Sequence, residues 1–479
     1  GGTRLGAWPP THTGAAYVAQ AGVGLGSNLG RLGKGDAVLV IGADLEEEVP
    51  LWYLRLKRAQ DHGAYLAVAG ARPTRLEDFA AETQRGYAQV SGAVIRYGVG
   101  EAASTMLHLR EKHAEVAEKL AGAKNLVIVA GADLMTLDEN RALMQAAAQF
   151  LSETGHVGKP NNGLLAPFPG PNGMGLHYLG YTPEATLEIA AQPPKVLILA
   201  QAEVLDDDPA AAAWLEKVET VIALSLFPDA ATRQAKFALP VQSFAERDGS
   251  WTNGERRVQR FYTAQGPMGE AIPAWKAAAR LRELAGQGRA KVSAAAVMLE
   301  ITQQVAAYEG ARYKDMAQVE RQFPDVGGAD LYYGGTAYQN KGGLGVQIAS
   351  SADNGEEVVI GEIAVPEAPK TKKGELLLLP IPTHYNRSHT QRASEVIAAR
   401  VPAPYVVLSS KDAKKLGVLD GDAVSVSFEG GEVTVRAQVN SAAPEGAALL
   451  PRHLSEAATP LAPASARIAK VSEPALVKA

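Results

Sequence analysis

The apolar positions of this chain fall into short continuous runs, separated by stretches in which they recur every three or four residues. Val38-Leu-Val-Ile-Gly-Ala-Asp-Leu45 returns as Val127-Ile-Val-Ala-Gly-Ala-Asp-Leu134, and more loosely as Val196-Leu-Ile-Leu-Ala-Gln-Ala-Glu203. An apolar run without polar alternation predicts a parallel strand buried on both faces. Further runs of this kind lie at Tyr65 to Ala69 and Val221 to Leu224. Leu51 to Gln60, Glu139 to Leu151 and Trp275 to Leu284 carry the helical spacing instead. Strand followed by helix reads as βα units, which predicts two doubly wound parallel-sheet α/β domains, residues 1–120 and 121–290.

From Gly374 onward the pattern changes. Tyr405 to Leu408, Ala423 to Phe428, Glu432 to Arg436 and Ala448 to Leu450 are short, β-rich and separated by turns such as Asp420-Gly421 and Gly430-Gly431. Lys411 to Leu416 interrupts them with one helical turn. Residues 374–479 therefore form a third, β-rich domain. Residues 291–373 connect it to the rest: first helical, then Gly- and Tyr-rich at Ala329 to Ala349, then charged and Pro-rich at Asn354 to Lys373. Tyr332, Tyr333 and Tyr338 either face a partner or pack beneath a domain.

Candidate chemistry concentrates in Ala238 to Phe261, where an apolar run closed by Pro240 leads into a loop rich in Gly, Asn and Asp. Glu246, Asp248, Asn253, Glu255, Arg257 and Gln259 make it unusually polar for a connector, and Gly249 and Gly254 allow close backbone approach. Such a loop either faces a ligand or another domain, or is a solvated turn. Asp44, Glu46, Glu47 and Glu48 follow the first strand, at the end where open α/β sheets bind ligands, though carboxylates are also favoured there by a helix N-terminus. Gly155 to Gly180 is a long Gly/Pro/Asn-rich loop whose His156 and His177 read as structural rather than metal-binding. Gly22-Val-Gly-Leu-Gly26 precedes its strand, the wrong order for a dinucleotide fingerprint.

Composition narrows the functions. Hydrophobic residues at 46% and charged residues at 21% describe an ordinary globular chain, and 479 residues exceed one core. A net charge of −5 gives no reason to expect nucleic-acid binding, and no apolar run approaches a membrane span. With no cysteine, the chain can form neither disulfides nor thiolate ligands to a cluster.

The loop motifs Ala238-Leu-Pro240, Phe244-x-Glu246-x-x-Gly249 and Asn253-x-Glu255-x-Arg257-x-Gln259 resemble the signature of molybdopterin-dependent oxidoreductases and their non-catalytic relatives. Gly173 and Gly175 after Asn172 are similar to the family's return loop. The series Asp412, Leu416-Gly417, Asp420-Gly-Asp422 and Val424 looks like its C-terminal double-psi β-barrel. Among the family's variants the chain resembles the large iron-sulfur subunit of the peripheral arm of respiratory complex I, the NADH:quinone oxidoreductase, in which the fold persists without molybdenum. Two positions depart from the catalytic pattern: Arg256 stands where Gly is usual, and Asp44-Leu45 where Asn-Pro is usual.

The resemblance implies that these residues are the C-terminal part of a longer polypeptide. It implies a scaffold on the cytoplasmic side of a bacterial inner membrane, attached to other peripheral-arm subunits and to the membrane only through them. Glu246, Gly249, Asn253, Glu255, Arg257 and Gln259 would then be a vestigial pterin-side loop, with no catalytic or metal-binding residue in the chain and molybdopterin absent. Iron-sulfur clusters are expected in an N-terminal part or in neighbouring subunits. A fragment of a catalytic molybdopterin oxidoreductase and a small-anion binding module are the alternatives.

Overall fold

The computed structural model describes residues 4–82, 84–85, 88–314, 316, 319–321, 338–340, 345–388, 390–455 and 459–471. Tyr332 and Tyr333 lie outside them, as does the side chain of Tyr338.

The first sheet has five strands in the order Ser91–Arg96, Tyr65–Gly70, Ala37–Ile41, Leu126–Ala130, Gly163–Leu165, and every pairing is parallel. Its two echoing strands are neighbours at the centre, in register with Val38 opposite Val127 and Ile41 opposite Ala130. Both are buried along their whole length, as strands without alternation must be when helices cover both faces. The expected boundary between residues 120 and 121 therefore runs through one sheet. The apolar repeat marks two adjacent strands of a single domain, because parallel neighbours are joined by long crossovers and a sequence pattern does not say which strands pair.

One of the covering helices, Leu137–Glu153, starts at Thr136, whose hydroxyl accepts from the Glu139 N–H at 3.2 Å. Glu139 itself is 1% exposed, and one of its oxygens accepts from the Ala102 N–H at 3.0 Å. Burial pushes its carboxyl up to about 7. A raised folded value means stability that is fully present below the unfolded value and lost as pH rises through the folded one. Wild type should thus lose about 2 kcal/mol between pH 5 and pH 8 that Glu139→Gln retains, measurable by denaturant unfolding at the two pH values. Parallel curves for the two proteins would show that Glu139 does not titrate.

The second sheet is smaller, with Val196–Ala200, Thr220–Ser225 and Phe237–Pro240 parallel and in sequential order. Phe237–Pro240 leads into an antiparallel hairpin, Gly249–Thr252 with Arg257–Phe261, and Val346–Gln347 from the connector adds a third strand to it. The C-terminal domain is a closed six-stranded barrel. Parallel pairs, Leu376–Ile381 with Ala447–Pro451 and Tyr405–Leu408 with Gly431–Val439, mix with antiparallel ones. Its helix Ser410–Leu416 is capped by the Ser409 hydroxyl and ends at Gly417 with φ +66, a conformation glycine adopts without strain.

The barrel seats on the carboxyl ends of the first sheet. Leu134, just past the Leu126–Ala130 strand, packs with Leu377, Leu379, Ile381 and Val407 of the barrel, and Ala71 and Val99 join the same cluster. This contact roofs the point where strand order reverses, between Ala37–Ile41 and Leu126–Ala130. That is where open α/β sheets bind ligands.

Candidate functional site

Between the first sheet and the barrel lies a cavity of about 500 Å³, within the range typical of small-molecule sites. Its walls come from segments far apart in sequence: Thr11 and His12, Glu47 and Glu48, Asp133 to Met135, Pro167 to Gly170, Thr383, His384, Asn386, Ser388 and Gln391, and Arg452 with His453.

The sheet side of the cavity is acidic and rests on one buried ion cluster. The Arg72 guanidinium, 7% exposed, binds Asp133 through two nitrogens at 2.9 and 3.1 Å and Asp44 at 3.0 Å. Asp44 and Asp133 are the aspartates of the two Gly-Ala-Asp echoes, so the sequence repeat becomes a two-sided clamp on one cation. Burial nevertheless pushes the Asp44 carboxyl up to about 6, against the pull of Arg72. Glu48 accepts from the Asp44 N–H at 2.7 Å, and burial, with the charge on Asp133, raises it well above the carboxylate range. Glu47 accepts the His384 N–H at 2.5 Å, tying the barrel's first loop to the sheet.

The opposite side is built on the barrel's strand ends, braced by Asp207 of the short helix Val204–Asp207. Asp207 accepts from the Trp8 indole N–H at 2.7 Å and from Arg452 at 3.2 Å, and the His453 ring lies 3.3 Å away. Leu134 (φ +62) and His453 (φ +59) line the cavity in the left-handed region, a costly backbone for residues with a side chain. Among the described residues, nine buried side-chain polar atoms lack a hydrogen-bond partner, and three of them belong to residues of this cavity: His12 Nε2, Thr383 Oγ1 and Arg452 Nε. Buried donors without partners mark places where a bound group completes the network.

The loop singled out in the sequence is elsewhere and does other work. Glu246 accepts from the Ser243 and Met268 N–H groups at 2.8 and 2.7 Å. Asn253 closes the hairpin by accepting from the Glu255 and Arg257 N–H groups, and its amide lies 3.4 Å from Gln259. Glu255 receives Arg257 at 3.0 Å and the Trp52 indole at 3.2 Å, while Arg257 also donates to the Ser27 carbonyl. Gly249 pairs with Phe261. None of these six residues lines the cavity.

Arg256 is the decisive case. It lies at φ +60, which explains why glycine is usual there, and its side chain turns inward to 0% exposure. It donates to the carbonyls of Ile348 (3.0 Å) and Val23 (2.8 Å) and pairs with Asp353 at 3.0 Å. It fills no part of the cavity.

His156 is structural, bonded to Thr154 and the Ala123 carbonyl. Glu203, Asp206 and Asp229 come within 4.8 Å of one another, but Arg392 holds two of them, at 3.1 and 3.7 Å. Sequence reading found the Gly155–Gly180 loop and the acidic cluster. It missed Thr383 to Gln391 and Arg452-His453, for which the available signal was a polar stretch directly after an apolar barrel strand. No helix among the described residues is long and apolar enough to cross a membrane.

Residues 11–284 match the molybdopterin oxidoreductase family, and residues 378–474 match the molydopterin dinucleotide binding domain. The chain belongs to the molybdopterin oxidoreductase family. The F420-dependent formate dehydrogenase 2 subunit alpha of Methanococcus maripaludis is 22% identical over 89% of this chain and 73% of its own length. The NADPH-Fe(3+) oxidoreductase subunit alpha of Geobacter sulfurreducens is 24% identical over 90% of this chain and 55% of its own length. The F420-dependent formate dehydrogenase 1 subunit alpha of M. maripaludis is matched over only 36% of its length. Acetylene hydratase from Pelobacter acetylenicus shares the fold, with TM-score 0.63 at 14% identity, covering 96% of this chain and 80% of that one.

These matches correct the expectation that molybdopterin is absent. The barrel matches a domain that binds the dinucleotide, and Arg256, which stands where glycine is usual, bonds to Ile348, Val23 and Asp353 and lines no part of the cavity. The residues present fit such a group on three counts: the cavity lies at the strand-order reversal, it is roofed by the dinucleotide-binding domain, and it carries unpartnered donors. The relatives above are named as formate dehydrogenase and NADPH-Fe(3+) oxidoreductase subunits, so the resemblance holds for the family while complex I is not the relative these matches name.

Proposed function

We propose that this chain is the cofactor-holding part of a molybdopterin-dependent oxidoreductase, with the pterin dinucleotide lodged in the cavity between the first sheet and the barrel. The observation that carries the reading is that cavity's three unpartnered buried donors beneath a barrel of the dinucleotide-binding type. Asn386, Ser388 and Gln391 on the barrel loop would hold the polar edge of the group, and the His12 and Phe168 rings, 4.8 Å apart, would pack against it. Glu48, whose carboxyl burial pushes upward, and Glu47 would present oxygens to N–H groups of the ligand. When bound, the cofactor supplies the redox step; the chain supplies position and exclusion of water. Any thiolate ligand to its metal or to a cluster must come from residues outside this sequence, which has no cysteine.

A second reading, the large peripheral-arm subunit of complex I, is motivated by that lack of cysteine. In it the fold carries neighbouring electron-transfer subunits on the cytoplasmic face of the inner membrane. Metal analysis of the full-length protein, alongside native gels of membranes stained for NADH oxidation, separates the two. Stoichiometric molybdenum in a protein that migrates apart from the NADH-oxidising band supports the first. Co-migration with that band, and its loss on deletion of this chain, supports the second.

A further inference from the structure

The second sheet is covered by helices on one face only. In its register Ile198 lies opposite Ile222 and Ile222 opposite Phe237, so these side chains share one face, while Leu199 and Val221 belong to the other. Leu199 and Val221 pack with Leu205, Leu215 and Ala231 of the connecting helices. Val196, Ile198, Phe237 and Leu239, on the opposite face, are 55%, 49%, 53% and 38% exposed. Among the described residues the helix Ala274–Leu284 reaches that face at one corner, where Ala277 meets Leu224. All-parallel sheets are stable with both faces covered, so an open apolar face on one marks a missing layer.

Handedness dictates where that layer comes from. The chain steps from Val196–Ala200 to Thr220–Ser225 to Phe237–Pro240 in one direction, and right-handed crossovers taken in one direction put every helix on the same face. Helices reach the other face from strands added in the opposite direction, as in a doubly wound sheet. In that direction lies the outer edge of Val196–Ala200, which pairs with no other strand among the described residues.

We propose that a strand–helix unit from the part of the polypeptide preceding these residues completes this lobe. Its strand pairs in parallel with the outer edge of Val196–Ala200, and the apolar side of its helix covers Ile198 and Phe237. Two observations assign the unit to the same polypeptide. The formate dehydrogenase and NADPH-Fe(3+) oxidoreductase subunits match almost all of this chain, yet part of their own length lies outside the match. The first described residues are also built into this lobe: the Leu5 carbonyl accepts the Thr182 N–H and the Ala7 N–H donates to the Thr182 carbonyl, both at 3.2 Å, and the Trp8 indole bonds Asp207 at 2.7 Å. The last strand, Ala464–Lys470, belongs instead to the barrel.

Photocross-linking in the full-length protein tests this, with p-benzoylphenylalanine in place of Phe237, where an aromatic ring is kept, and separately in place of Ile198 on the far strand of the same face. Peptide mass spectrometry after irradiation should place both cross-links in a segment of the same chain upstream of this sequence. The same label at Val396, 86% exposed on the short helix Glu395–Ala398, should give none. Phe237→Glu should lower the melting temperature of the full-length protein, because it buries a charge, whereas Val396→Glu should leave it unchanged. Cross-links to a second copy, to another polypeptide or to nothing overturn the proposal, as does a Phe237→Glu variant that melts like wild type. Neither readout depends on whether the cavity beneath the barrel holds a cofactor.

Discussion

Arg72→Met should destabilise the first α/β domain by about 3–5 kcal/mol, the cost of leaving buried carboxylates without their counter-charge. Asp44 and Asp133 project from the ends of adjacent strands onto this one guanidinium, at 3.0 and 2.9 Å, with both aspartates almost wholly buried. The triple variant Arg72→Met, Asp44→Asn, Asp133→Asn should recover most of the loss, because a buried ion cluster replaced as a whole is often neutral for stability. The pH dependence has a definite sign. Asp44 already titrates at about 6, raised chiefly by burial, so its ionisation costs stability as pH rises through that value. Without Arg72 that cost grows, and the variant should be more severely affected at pH 8 than at pH 5. Denaturant unfolding at both values measures it; equal stability of wild type and Arg72→Met at pH 8 would show that the cluster is not buried.

Arg256 should prove nearly as costly to remove. Its guanidinium joins the first sheet's Gly-rich approach, through Val23, to the connector, through Ile348 and Asp353. Arg256→Ala leaves Asp353, 4% exposed, without its counter-charge and should cost about 3–5 kcal/mol. Arg256→Gly is the sharper test. Glycine relieves the left-handed backbone by about 1–2 kcal/mol, which is smaller than the loss of the buried pair, so the variant should still be less stable than wild type. A glycine variant as stable as wild type would mean that the arginine is only a tolerated replacement.

That residue shows where sequence reading stops. The Gly-to-Arg difference was visible, but side-chain direction was not, and a left-handed backbone sends the guanidinium into the core rather than across the cleft. The strands were legible because fully buried parallel strands have no polar alternation, and Ala37–Ile41, Tyr65–Gly70 and Leu126–Ala130 all lie where the apolar runs predict. Their partnership was not legible, since Val38 and Val127 meet only through a long crossover. The barrel's Ala464–Lys470 strand has no apolar run to reveal it in the sequence, although it closes the barrel between Leu376–Ile381 and Ala423–Phe428. The site was hardest to see. Polar residues in the Gly249–Phe261 hairpin bond to one another, whereas the cavity gathers small groups of residues from several distant segments.

The central claim, that the cavity between sheet and barrel holds a pterin dinucleotide, is tested most directly by measuring the pterin that co-purifies with the full-length protein. The measurement is fluorescence after oxidative release, made on wild type and on Ser388→Trp, which places a bulky ring in the cavity wall. Stoichiometric pterin in wild type, lost in the tryptophan variant while the melting temperature is unchanged, is the predicted result. Wild-type protein produced in a molybdopterin-competent host and free of pterin, or a Ser388→Trp variant that retains it in full, would contradict the account.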